Sequence, residues 1–291
     1  MRKKMKQRVA EQKVFEKIQK EMKKEGIKVK IIERVKNNGE KLRGIAFQKD
    51  DMGVAPVSYF NKMRNMEEVE KQVEWMKKVV KNGFEVGVYS LERKLLNDKW
   101  ESMKDKIVFR LLKKKGNEEF LKGVVYKEVL DLALVFYMLL ENEGFSGSIG
   151  ITETLLKELN MNEQELYETA KKNTPLLLPP EFTDIETIIQ SYTGLEAEPC
   201  GMYVLRNASE SYGAGTILYD GVLERIAEQL NGNFYIIPSS IHECIIIEAD
   251  STDKESLDCM VREINSTALE REDVLENHAY LYDRDRKEIM Y

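Results

Sequence analysis

The stretch Pro238-Ser239-Ser240-Ile241-His242-Glu243 gathers two hydroxyls, an imidazole and a carboxylate. The chain has only two histidines, His242 and His278, so one of them stands here beside two serines and an acid. A serine nucleophile needs a base within hydrogen-bond reach, and that base needs an orienting acid. Apolar runs flank the stretch, FYII before and CIII after, and both read as strands. In extended chain Ser240 and His242 share a face while Glu243 points to the other. A hydrolase built on Ser240 (or Ser239) and His242 therefore needs a remote acid. No G-x-S-x-G elbow occurs anywhere in the sequence.

Other chemistries have less behind them. A metal site on His242 with Glu243 or His278 would take diverging neighbours and lacks the H-E-x-x-H or paired-cysteine spacing, so no metal is expected. A phosphate cradle would need a P-loop or G-x-G-x-x-G; Ser211-Tyr212-Gly213-Ala214-Gly215-Thr216 offers two glycines that read as a hairpin turn. No cofactor is expected. The structural reading gives the stretch to a strand–turn–strand unit. Pro238 ends a strand, the serine hydroxyls satisfy turn amides, and His242 bonds a neighbouring backbone or Tyr212. A binding pocket is the functional alternative. It requires Asn207, Tyr212, Ser239, Ser240, His242 and Glu243 to converge in space.

The elements that must position these residues follow from periodicity and turn signals. Residues 3–25 read as an amphipathic helix closed by Gly26, and residues 28–48 as a hairpin turning at Asn38-Gly39. A short edge strand over 53–60 contains Pro56. A second helix follows, capped by Asn65 and closed by Gly83. Residues 106–114 read as a strand. Residues 130–137 fit a strand or a buried helix, with Asp131 as the cap if a helix begins at Leu132. Thr152 and Asn162 cap two short helices, and Glu165 completes an N-x-x-E capping box. The acids Glu163, Glu165 and Glu168 argue against a DNA-recognition helix there. Beyond a proline-rich stretch, the C-terminal part reads ββαββα and then a hairpin. Its second strand falls on Ala214–Tyr219 and its first helix is capped by Asp220. These elements give an α+β fold, antiparallel or mixed sheets with helices packed on one face, in two halves: residues 1–195 and 196–291.

Composition narrows the functional classes. The 291 residues are 42% hydrophobic and 33% charged, which is globular rather than disordered. No run of 18 apolar residues occurs, so no membrane contact is expected. The basic N-terminus lacks the apolar stretch and cleavage site of a secretory signal. Cys200, Cys244 and Cys259 form no even framework, which fits a reducing cytoplasm. Cys244 and Cys259 read as buried small apolar groups. The net charge of −6 hides an asymmetry. Residues 1–124 hold 33 Lys+Arg against 19 Asp+Glu, a net of +14, and residues 125–291 hold 12 against 32, a net of −20. The basic surface includes Lys3, Lys4, Lys6 and Arg8 on the first helix. Its lysines alternate with glutamates and lack the arginine forks and aromatics of a nucleic-acid reader.

Asn207, Tyr212, Gly213, Ala214, Leu218, Leu223 and the Pro238-Ser239-Ser240-x-His242-Glu243 motif carry a resemblance. With the DLALVF run at 131–136 and the capped pair around Asn162, the chain resembles the family of unknown function numbered 5688 over residues 20–291. The resemblance implies a setting in anaerobic gut bacteria and their mobile elements, and no established activity. The functional expectation is a non-enzymatic binding, adaptor or regulatory protein with a macromolecular partner, protein rather than nucleic acid.

Overall fold

The computed structural model describes residues 2–49, 57–63, 65–85, 103–142, 145–196, 198–238 and 240–291. Ser239, Pro56 and Trp100 lie outside the described residues. The fold is α+β, and its chain contacts divide it into two compact units. Residues 1–36, 40–103 and 139–148 form the first; residues 37–39, 104–138 and 149–291 form the second.

In the first unit, helix α1 (Arg2–Met22) passes through a 3-10 turn into Gly26, whose φ of 71° ends it. Strands β1 (Ile27–Val35) and β2 (Lys41–Lys49) pair antiparallel around Asn38-Gly39, both at positive φ, and β3 (Val57–Tyr59) joins the sheet as an edge. Helix α2 (Met66–Glu85) is capped by Asn65, whose Oδ1 accepts from Glu68 N at 2.9 Å. It runs on past Gly83, which is therefore not its stop. Val14, Ile18 and Met22 of α1, Ile45 and Phe47 of β2, and Val69, Val73, Met76 and Val80 of α2 form the core. Trp75 is exposed.

In the second unit, β4 (Ile107–Lys113) pairs with β6 (Leu132–Asn142), which pairs with β5 (Tyr126–Val129). The ambiguous apolar run is thus a strand. Short helix α3 (Glu118–Leu121) lies between β4 and β5, and β7 (Phe145–Gly150), most of which belongs to the first unit, pairs with β6. Helices α4 (Glu153–Glu158) and α5 (Glu163–Leu177) carry the caps expected of Thr152 and Asn162, the latter with a full capping box. Then come β8 (Pro180–Asp184), α6 (Ile185–Thr193), β9 (Met202–Asn207), α7 (Val222–Leu230), β10 (Phe234–Ile237), β11 (Glu243–Glu248), α8 (Lys254–Thr267), β12 (Tyr280–Asp283) and β13 (Glu288–Met290). The strands make one antiparallel sheet in the order β13-β12-β10-β11-β9-β8. Residue 195 falls between α6 and β9, yet β8 on one side pairs with β9 on the other.

Strand alternation sorts the sheet's side chains. Ile237, Ile247 and Ala279 pack with Leu257 and Val261 of α8. Phe234, Ile236, Cys244, Ile246 and Tyr280, on the opposite face, are fully buried. A 3-10 segment, Gly213–Leu218, packs against β4, β9 and β11 where a strand is expected from Ala214–Tyr219. Gly213 permits this: a Cβ there would lie 2.5 Å from His242 O and 2.6 Å from Asn207 N. Two further expectations change. Asp220 pairs with Lys171 at 2.9 Å instead of capping α7, which begins after Gly221 at φ 74°. Cys259 is exposed on α8, whereas Cys244 is buried as expected.

Candidate functional site

Among the described residues of the Pro238–Glu243 stretch, the hydrogen bonds have structural destinations. Ser240 Oγ accepts from the backbone N–H of His242 at 3.0 Å, a local serine turn. The His242 ring accepts the Tyr212 N–H on Nδ1 at 3.3 Å. Its Nε2 therefore carries the proton and faces Asp273 Oδ1 at 3.2 Å. Asp273 is a remote acid of the kind a triad would use. The nitrogen that would receive a serine proton, however, is occupied by a backbone amide. Glu243 opens β11 opposite Arg206, away from His242.

Asn207, Tyr212, Ser240 and His242 do come together. The Tyr212 and His242 rings lie 5.5 Å apart between centroids. Asn207, 1% exposed, donates from Nδ2 to Ser211 O and accepts on Oδ1 from the Ser209 amide and hydroxyl. This leaves it locally satisfied and out of reach of a ligand. On the far side of Tyr212 is Arg110 of β4. Its guanidinium sits 4.0 Å from the Tyr212 ring centroid and 4.4 Å from that of Tyr137. Among the described residues Arg110 makes no ion pair, and its buried Nε has no partner. Burial lowers the guanidinium pKa below its ordinary value and pushes Tyr137 up to about 12.

The motif's main work is to hold a loop. Ile241 N donates to Asp273 O at 2.8 Å, Glu276 N donates to Pro238 O at 3.0 Å, and Ser240 bridges to Val274. The hairpin tip holds the same loop from another side. Asn37 Nδ2 donates to Glu272 O, and Asn38 Nδ2 to Arg271 O and Val274 O. Asn117, 1% exposed, fixes the tip by bonding both asparagines.

The secured loop continues into a second cluster. Leu130 and Asp131 form the two-residue turn between β5 and β6, with Leu130 at a φ of 56°, so Asp131 caps no helix. Asp131 accepts from His278 Nε2 at 2.9 Å and from the Tyr280 hydroxyl. Burial opposes ionisation of this carboxylate, but the Tyr280 hydroxyl and His278 outweigh it, and the pKa falls below the ordinary aspartate value. Tyr280 is driven upward by burial and by the same carboxylate. Glu276 pairs with Lys113 at 2.8 Å, both largely buried. Asp131, Glu276 and His278 each bring one ligand atom within 4.8 Å of the others. Lys113 and Tyr280 already satisfy the two carboxylates, so a divalent ion would have to displace them. Of this cluster only Asp131 is visible in sequence, as an acid inside an apolar run.

Beside the cluster, where the loop, α8 and the end of β4 meet the hairpin tip, opens a cavity of about 410 Å³. Lys113, Lys115, Arg262 and Arg271 are on its wall with Asn265 and Asn277, and no carboxylate lines it.

The comparisons agree with this geometry in offering no ready activity. No curated protein and no solved structure matches the sequence. One family model does, described as a family of unknown function (DUF5688), over residues 10–284. That span takes in α1 from residue 10 onward, the hairpin tip, Asp131, the Pro238–Glu243 motif and the loop it secures, and the chain belongs to this family.

Proposed function

We propose that the chain is a non-enzymatic binding protein that engages a protein partner through α6. The observation behind this reading is the helix itself. Ile185, Ile188, Ile189 and Tyr192 recur at i, i+3, i+4 and i+7, the spacing of one apolar face. None of them is buried: Ile189 is 40% and Tyr192 75% exposed, and Leu195 beyond the helix is 69% exposed. Exposed apolar stripes of this kind mark interaction surfaces. The exposed acids Glu196 and Glu198 adjoin the stripe, so the partner that fits is an apolar segment flanked by lysines or arginines. No cofactor or metal enters this reading. The site around His242 supports it by elimination, because Ser240 and both ring nitrogens are committed to the fold.

The reading is tested with a photo-crosslinking residue at position 192, introduced in the native host, beside the exposed position 228 on α7 as a control. A discrete protein adduct at 192, absent at 228 and abolished by Ile189→Asp, is expected. Equal labelling at both positions overturns the proposal. Stoichiometric labelling of Ser240 by a fluorophosphonate probe would establish the hydrolase alternative instead.

A further inference from the structure

We infer that the cavity beside the secured loop is a binding site for a small phosphate ester carrying a free hydroxyl. This is independent of the α6 surface. The wall of this cavity is cationic: Lys113 and Lys115 come from the basic stretch 1–124, and Arg262 and Arg271 from the acidic stretch 125–291. Lys113 is neutralised by Glu276. Among the described residues Lys115, Arg262 and Arg271 have no carboxylate at ion-pair distance, and Arg262 contacts only the Cys259 sulfur. Glu118, which accepts from Gly116 N on the same wall, answers Lys115 beyond ion-pair distance, and the remaining excess of like charge is relieved by an anion. Two guanidinium forks and an ammonium suit the non-bridging oxygens of a phosphate ester.

Asn265 supplies the second observation. It is 8% exposed and donates Nδ2 to Glu276 O at 2.8 Å and to Asn277 Oδ1 at 2.9 Å. Because a backbone carbonyl can only accept, the amide orientation is fixed, and Oδ1 is left buried with no donor. A buried acceptor without a partner is costly; Oδ1 is closed to solvent in the empty site, and a small turn of the Asn265 side chain would bring it to its complement, a ligand hydroxyl. The volume of about 410 Å³ suits a phosphorylated sugar. The wall is pre-formed: Asn38 on one side and the Pro238–His242 turn on the other hold the loop that presents Arg271 and Asn277.

The test is thermal denaturation and calorimetric titration of the full chain with ribose 5-phosphate, inorganic phosphate and unphosphorylated ribose, at ionic strength matched with chloride. Saturable binding is expected for ribose 5-phosphate and, more weakly, for inorganic phosphate, with none for ribose. Arg271→Gln should weaken it about tenfold, roughly the effect of one charge-assisted contact. That side chain is exposed, so the melting temperature of the unliganded variant should not move. An Asn265→Leu variant should bind inorganic phosphate as the wild type does and lose the preference for the sugar phosphate. No saturable response to either phosphate, or binding unchanged in Arg271→Gln and in Lys115→Gln, overturns the proposal.

Discussion

Asp131 shows how one carboxylate can be placed by distant chain. The hairpin turn offers it, Leu130 accepts a backbone conformation that side chains rarely adopt, and His278 and Tyr280 receive it. Its folded pKa lies below the ordinary 3.8, so it contributes stability that is present above that value and lost as pH falls through the folded pKa. Urea midpoints measured from neutrality down to acid pH should show the wild type exceeding Asp131→Asn at neutral pH and converging toward it in acid. A constant gap across the range would remove the carboxylate from that role. The sequence announces Asp131 as anomalous, because a charge inside an apolar run needs a partner. It does not announce the partner. His278 and Tyr280 sit in a stretch whose local pattern says only strand, and the cap assigned to Asp131 fails because Leu132 begins a strand. His242 is the reverse case: its contact with Tyr212 is foreseen, while Asp273 has no local signature.

At the scale of elements, those whose signals are local are legible. The Asn38-Gly39 hairpin, the Asn65 and Asn162 caps and the alternating strands β10 and β11 form where the residues direct. The 3-10 segment Gly213–Leu218 is not legible, because its apolar residues fit a strand equally well. What decides is tertiary: Gly213 lets the backbone approach that of Asn207 and His242 more closely than any side chain allows. Gly213→Ala should therefore lower stability by about 1–3 kcal/mol through forced backbone displacement. Equilibrium denaturation checks this, and a loss under 0.5 kcal/mol would mean that the segment yields without cost. The same segment underlies Tyr212, so the variant should also disturb the stacking of Arg110, read as a change in tyrosine near-ultraviolet dichroism.

Across the molecule, the basic excess of the N-terminal stretch is partly answered within its own unit. Arg43 meets the buried Glu11, Lys17 meets Glu70, and Lys77 meets Glu21 and Glu74. Charge counts show the asymmetry and cannot show these pairings, which depend on α1, β2 and α2 packing together. The thiols give a global check. Cys200 and Cys259 are exposed, although a hydrogen bond with Glu186 raises the Cys200 thiol pKa and slows its reaction; Cys244 is fully buried. Intact-mass analysis after alkylation should show two adducts on the native chain and a third only in denaturant. A third adduct under native conditions would place Cys244 in a locally opening region. The order of the large sheet also has a consequence for synthesis. Strand β10 lies between β11 and β12, and Asp131 finds His278 147 residues downstream and Tyr280 149 downstream. On the ribosome, a strand edge and a charge set in an apolar run must both wait until residues 278–283 have been translated. The second unit is thus closed by the β12–β13 hairpin, and until that hairpin is made the β10 edge stays open to wrong pairing.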